Sequence, residues 1–213
     1  MNHVYIGLGN AAKDELCHFQ EHYEISAKDA DTNLHAEYFV VTENDLSELY
    51  LLDNALIESQ DAPHNLRNIK VDPPSIKNAL MHLREHRWLK MDAEEQVYWT
   101  ELIEDDVENM DELPKRILRL SLAPTIEQIL YHVHAAYLRL QAKYDDEGLA
   151  LHLLVDTSCT WVNAILADVI VQLRQHYPSL FCRLSVYLLL PPNFSQTKLP
   201  AIQSASLYAT LVE

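Results

Sequence analysis

The residues with the clearest chemical potential stand at the start of the chain, where Val4-Tyr5-Ile6 runs into Gly7-Leu8-Gly9-Asn10-Ala11-Ala12. A short apolar strand that meets Gly-x-Gly-x-x-Ala and continues as a helix is the βα turn on which nucleotide phosphates are held. Glycine lets the backbone turn tightly and approach the anion, and the free N–H groups of the first helical turn attract it. The chain has only 3 glycines, where average usage of about 7% would supply roughly fifteen. Glycine is therefore kept at this turn and dropped nearly everywhere else. The same pattern also serves as a plain tight connection in an α/β sheet, so a nucleotide turn and a structural turn stand side by side as readings.

A second constellation, His82-Leu83-Arg84-Glu85-His86, spells H-x-x-E-H on a predicted helix. Two histidines at i, i+4 would hold Zn²⁺ and the glutamate would act as base, with Glu101 or Glu104 as a further ligand. With 11 histidines in the chain a match to so short a pattern arises readily by chance, and boundary histidines on a solvated helix explain it as well. His132 and His134 lie two apart on a helix and point in different directions, which suits packing or surface roles better than chelation. Ser158 and Cys159 are the nucleophile candidates near a strand end, yet no G-x-S-x-G elbow surrounds them. Asp105, Asp106, Glu108, Asp111 and Glu112 lack the turn-forming glycine of a calcium loop and read as a solvated loop or helix edge.

The elements that must position these groups follow from the apolar pattern. Strand signals fall at Val4–Ile6, Tyr38–Thr42, Leu149–Val155 and Arg183–Leu190, mostly as continuous apolar runs that suit parallel strands covered on both faces. Helical periodicity marks Ala11 to Tyr23, Ser75 to Leu89, Thr125 to Lys143 and Trp161 to His176. Alternating strands and helices predict an α/β fold, a mainly parallel sheet with helices on both faces joined by right-handed crossovers. At 213 residues and 48% hydrophobic content the chain is expected to form a single domain, 1–213.

Charge and cysteine usage narrow the partners. Lys plus Arg number 16 against 32 Asp plus Glu, a formal net charge of -16, so a phosphate backbone or anionic membrane would be repelled and neither nucleic acid nor membrane is an expected partner. Cys17, Cys159 and Cys182 are widely spaced and odd in number, which suits reduced thiols. No leader pattern and no apolar run near the roughly 20 residues of a membrane span is present, so a cytoplasmic location is the expectation.

Four segments, taken in order, resemble the bacterial tubulin-like proteins, distant relatives of FtsZ and tubulin. Tyr5-Ile6-Gly7-Leu8-Gly9 is similar to the family's first strand and its G-L-G-G-T-G turn. Leu113-Pro114-Lys115-Arg116-Ile117-Leu118-Arg119-Leu120-Ser121-Leu122, with the helix from Pro124, resembles the segment that leads to the phosphate loop. Leu151 to Asp168 stands where the family has a strand, G-G-G-T-G-S-G and a helix. Leu184 to Pro192 with Ser204-Ala205-Ser206-Leu207-Tyr208-Ala209-Thr210-Leu211 looks like the next strand and an R-A-N-A-Y-A-A-L-type helix. The likeness lies in order and spacing over nearly the whole chain, with no motif intact.

The departures shape what the resemblance implies. In place of the glycine signature the chain reads Asp156-Thr157-Ser158-Cys159-Thr160-Trp161-Val162-Asn163. Trp161 and Cys159 would crowd a phosphate cradle, and Asp156 would bring charge of the wrong sign. Asn10 and Ala11 replace the Gly-Thr after Gly9, while Glu43 and Asp45 would reach a ribose or metal only if they are more than surface acids. The family's base-stacking helix and hydrolytic loop lie beyond the part matched, so the expected domain is the nucleotide-binding half, incomplete on its C-terminal side. The resemblance implies a non-catalytic protein acting through itself or a full-length tubulin-like partner, with no cofactor expected. Gly7, Leu8, Gly9, Asn10, Ala11, Thr157, Ser158 and Thr160 would form a vestigial or weak nucleotide site. An active site for GTP, or for ATP or NAD, is the alternative, and a zinc hydrolase the remote one. Residues 193–200, entered through Pro191-Pro192, read as a surface loop or docking edge.

Overall fold

The computed structural model describes residues 1–29, 35–43, 66–71, 93–94, 97, 115–144, 148–177 and 182–190. In chain order these form β1 (Asn2–Leu8), α1 (Asn10–Asp29), β2 (Ala36–Thr42), β3 (Leu66–Lys70), α2 (Lys115–Ser121), α3 (Ala123–Tyr144), β4 (Leu149–Asp156), α4 (Thr160–His176) and β5 (Cys182–Leu189). The strands make one sheet in the order β3-β2-β1-β4-β5, and every pairing is parallel. The fold is α/β, as the alternation of strand and helix signals predicts. The expected helix at 75–89, the H-x-x-E-H segment, the acidic run at 105–112, Asp45 and the segments 193–200 and 204–211 lie outside the described residues.

Period-two alternation sorts the sheet into two unequal faces. Val4, Ile6 and Leu8 of β1, Phe39 and Val41 of β2, and Leu149, Leu151, Leu153 and Val155 of β4 point to one side. There they join Ile126, Ile129, Val133 and Leu140 of α3 and Trp161, Ile165, Val169 and Leu173 of α4 in the main core. These spacings are the helical stripes of the sequence, and each large side chain so buried contributes roughly 1.5–3 kcal/mol. Among the described residues the opposite face is thinner: Leu16 of α1 packs with Tyr38 and Val40, with Tyr5 and Leu154 at its margin. Helices therefore cover both faces.

Two bidentate ion pairs fix helix positions. Arg119 of α2 grips Asp168 of α4 through Nε and through Nη2, the latter 2.6 Å from Oδ1. Arg139 of α3 grips Glu37 of β2, with Nε 2.7 Å from Oε1. Guanidinium geometry makes each a two-point clamp rather than a point contact. Pro124 sits in the first turn of α3, where its missing N–H has no helical partner to lose.

Two strands differ from expectation. β3 carries Arg67, Asn68 and Lys70 among its five residues, so its apolar signal is diluted; Ile69 of the strand enters the core, with Val71 just beyond it. β5 has the apolar sequence of a strand covered on both faces, yet Val186, Tyr187 and Leu188 are exposed.

The thin face carries a row of stacked rings. Tyr38, Tyr5 and His152 are register partners on adjacent strands, with ring centroids 5.1 Å apart for Tyr5–Tyr38 and 4.4 Å for Tyr5–His152. His3 stacks on His152 as well, and their Nδ1 and Nε2 atoms lie 3.1 Å apart. Burial, reinforced by the His3 ring, pushes the His152 pKa from 6.5 down to about 4. The unfolded chain therefore binds a proton here that the folded one refuses, and stability falls as pH drops from about 6.5 towards 4. His152→Phe keeps the stack and removes the titration, so its melting temperature should depend less on pH across that window than the wild type's, measured by thermal melts in matched buffers.

Candidate functional site

Strand order reverses between β1 and β4, and their carboxyl ends open the crevice where parallel α/β sheets hold ligands. Leu8 is in register with Val155. The chain leaves β1 through Gly9 into α1 on the thin face, and leaves β4 through Thr157-Ser158-Cys159 into α4 on the core face. The two segments singled out by their residues are thus brought side by side.

Gly9 is the hinge of the first turn. Its N–H donates to the Val41 carbonyl at 2.9 Å and its carbonyl accepts from Lys13 N–H at 3.0 Å, which makes it the residue that starts α1. Its φ is +92°, in the left-handed region that side chains disfavour. A Cβ at this position would lie 2.7 Å from Asp156 Cβ and 3.2 Å from Cys159 Sγ. Both reasons for glycine hold here, and the close neighbour is a side chain of this same chain.

That neighbour occupies the helix terminus. Asp156 Oδ2 accepts from the Ala11 N–H at 2.9 Å, in the first turn of α1. Its Oδ1 accepts from the Ser158 N–H at 3.0 Å and the Ser158 hydroxyl at 2.5 Å. The carboxylate, 4% exposed, thus stands where helix dipole and free N–H groups favour an anion. Cys159 lies beside it, its thiol donating to Oδ2 at 3.5 Å. Burial first and the Asp156 charge second push the Cys159 pKa up to about 12, so the thiol stays protonated and is a poor nucleophile.

The other expected site residues divide by role. Gly7 packs under the turn, where an added Cβ would meet the Ala12 carbonyl oxygen at 3.1 Å and Val40 Cγ1 at 3.3 Å. Leu8 is a core side chain. Asn10 and Ala11 are exposed at the mouth of the turn. Thr157 is turned towards β5: its N–H and hydroxyl both donate to the Leu189 carbonyl, at 3.2 and 2.7 Å. Its own carbonyl accepts from Asn163 Nδ2 at 2.9 Å. Thr160, in the first turn of α4, is buried, and its Oγ1 has no hydrogen-bond partner.

The expectation that Trp161 crowds this space is corrected. Trp161 is 1% exposed and belongs to the main core, because the helical stripe of α4 turns it beneath the sheet. The group that fills the turn is Asp156, with Cys159 beside it. His132 packs against the Phe39 ring, and His134 lies 3.4 Å from the Tyr177 hydroxyl. Among the described residues no group of three or more His, Cys, Asp or Glu side chains is placed to hold a metal ion, and no helix is long and apolar enough to cross a membrane.

No family model, curated protein or solved structure matches the chain.

Gly9→Ala should destabilise the fold by about 2 kcal/mol or more, since a non-glycine residue is forced to positive φ and its Cβ into Asp156. Gly7→Ala, at ordinary φ and with softer contacts, should cost less. Asp156→Ala should cost about 1–3 kcal/mol through loss of the carboxylate at α1 and of its bonds to Ser158. Denaturant unfolding of the three variants checks the ranking.

Proposed function

We propose that this chain is a non-catalytic, tubulin-like protein that keeps a nucleotide-binding type of fold and acts by protein contact, with itself or with a full-length tubulin-like partner. One observation carries the reading: the anion position at the start of α1 is taken by the carboxylate of Asp156. A phosphate there would meet a buried negative charge 2.9 Å from the N–H it needs. The loop after β4 supports the same view, since Ser158 is spent on Asp156 and Thr157 on the end of β5. Its thiol is held protonated, so the crevice offers no activated nucleophile in Cys159.

Nucleotide binding is the rival reading, and a specific feature favours it. The start of α4 has no side-chain cap, and the buried Thr160 hydroxyl beside it lacks a partner. A phosphate seated there, with Asp156 swung aside, would satisfy both. GTP is the ligand the resemblance implies, with ATP or NAD less favoured.

Thermal melts of the purified chain with GTP, GDP, ATP and NAD, each with and without Mg²⁺, decide between the two. A ligand at about 100 times its Kd adds about 2.7 kcal/mol to the folded state, or roughly 5–10 °C for a chain of this size. No shift at millimolar ligand is the expected outcome. A shift of several degrees with one nucleotide overturns the proposal and makes the turn at Gly7-Leu8-Gly9 a working site.

A further inference from the structure

We propose that the edge of β5, where the sheet ends among the described residues, is the contact between two copies of this chain, joined antiparallel about a two-fold axis at Val186. The inference rests on the reading that the protein acts by protein contact, and it names the surface and the partner.

Edge strands are normally blunted by shortness, charge, proline or a bulge, because their free N–H and C=O groups pair with any strand that fits. β3, the other edge among the described strands, follows that rule: it is 5 residues long and carries Arg67 and Lys70. β5 follows it less closely: it runs for 8 residues, as long as its central neighbour β4, and after Arg183 near its start it has no charge and no proline up to its end at Leu189. Tyr187 and Leu190 are half exposed, and Val186 and Leu188 are each 37% exposed. A strand of this length and composition suits the interior of a sheet.

The backbone phase of β5 specifies which groups are free. The Leu189 carbonyl takes its bonds from Thr157, on the β4 side. A residue's N–H and C=O share one side of a strand, so Leu189, Tyr187, Ser185 and Arg183 address β4, while Leu184, Val186 and Leu188 point outwards. In an antiparallel pairing centred on Val186 these outward residues oppose one another: Val186 meets Val186 of the second copy, and Leu184 meets Leu188 in both directions. Each is a hydrogen-bonded pair exchanging two N–H···O bonds. The directly opposed side chains lie on one face, where Leu184 already packs against the main core, so the apolar face of each copy continues into the other. On the opposite face Ser185 meets Tyr187, and Arg183 meets Leu189. The two Arg183 side chains fall at opposite ends of the pairing.

Charge favours a second copy along this edge. The chain carries a net charge of -16, yet between Asp168 and Glu213 it has no acidic residue, against Arg174, Arg183 and Lys198. Two copies that meet along β5 therefore bring together a stretch of sequence without acidic residues in a chain that is acidic as a whole. Residues 191–213 of the same chain and an unrelated protein strand are the other candidates for the edge, and the test separates them.

Sedimentation equilibrium of the full chain across micromolar concentrations should give a dimer. Val186→Pro removes an outward N–H that the β4 ladder does not use, and the two-fold doubles its effect. It should weaken the dimer about a hundredfold, from the loss of roughly two net hydrogen bonds of about tenfold each, with the circular dichroism spectrum unchanged. If Val186→Pro fails to fold, Val186→Lys supplies the same loss through charge. Val186→Cys should form an intermolecular disulfide under mild oxidation that the wild type does not form, since hydrogen-bonded antiparallel partners lie about 5.5 Å apart at Cα. A wild-type monomer overturns the inference in favour of the chain's own tail or another protein. A dimer that ignores Val186→Pro and leaves Val186→Cys uncrosslinked overturns it in favour of another surface. A monomer that binds no nucleotide leaves the protein-contact reading standing, whereas a nucleotide-induced melting shift overturns that reading and leaves the dimer to the Val186→Cys result.

Discussion

The Asp156 carboxylate ties the end of one strand to the beginning of a helix that belongs to another. Through Ala11 it anchors α1 to β4, through Ser158 it shapes the loop into α4, and through its Cβ it dictates glycine at position 9. A parallel sheet has no local turn to join β1 and β4, which are separated by most of the chain, so their relative placement rests on ladder bonds and on contacts of this kind. The carboxylate also resolves a problem of the fold itself. A helix that starts at a switch point exposes orphan N–H groups and the positive end of its dipole to a crevice. A bound anion commonly answers that need; here the neighbouring strand supplies the anion covalently.

Around that point the molecule is built unevenly. The face that carries α3 and α4 holds the large core, locked by Arg119–Asp168 and Arg139–Glu37. Among the described residues the face that carries α1 is thin, with Leu16 and the ring row of Tyr38, Tyr5 and His152. The row ends on β5, where Tyr187 stacks on His152 with its ring half in solvent. Along the sheet the buried character therefore fades from β1 and β4 towards β5, although the sequence of β5 remains apolar. On the proposed reading that mismatch between composition and exposure is what a second copy would resolve.

Much of this was legible in the residues because it depends on patterns that one side chain sets independently of its distant neighbours. Continuous apolar runs at 149–155 and the stripe Ile126, Ile129, Val133, Leu140 define β4 and α3 whatever surrounds them. β3 was not legible, since Arg67 and Lys70 on an edge strand look like loop composition. The site was half legible. Glycine spacing located the turn, and the loop at 156–160 could be placed against it. The identity of the group that fills the turn could not be read, because it depends on which of Asp156, Cys159 and Trp161 the phase of β4 and α4 turns towards Gly9. β4 ends with Asp156 towards α1, and the stripe of α4 takes Trp161 into the core.

A Gly-x-Gly turn is thus weaker evidence for a nucleotide than for close approach of something at the sheet's switch point. The requirement for Gly9 comes from positive φ and from an atom 2.7 Å from where its Cβ would be, and neither distinguishes a phosphate from a carboxylate. The distinction lies in the residue that ends the adjacent strand. Where that residue is small and neutral, the helix terminus is left for a diffusible anion. Where it is an aspartate within reach of the first-turn N–H groups, the same backbone geometry is satisfied internally, and the glycines persist under structural constraint alone. In this chain the turn at Gly7-Leu8-Gly9 is met in that way, by the Asp156 carboxylate bonded to the Ala11 N–H.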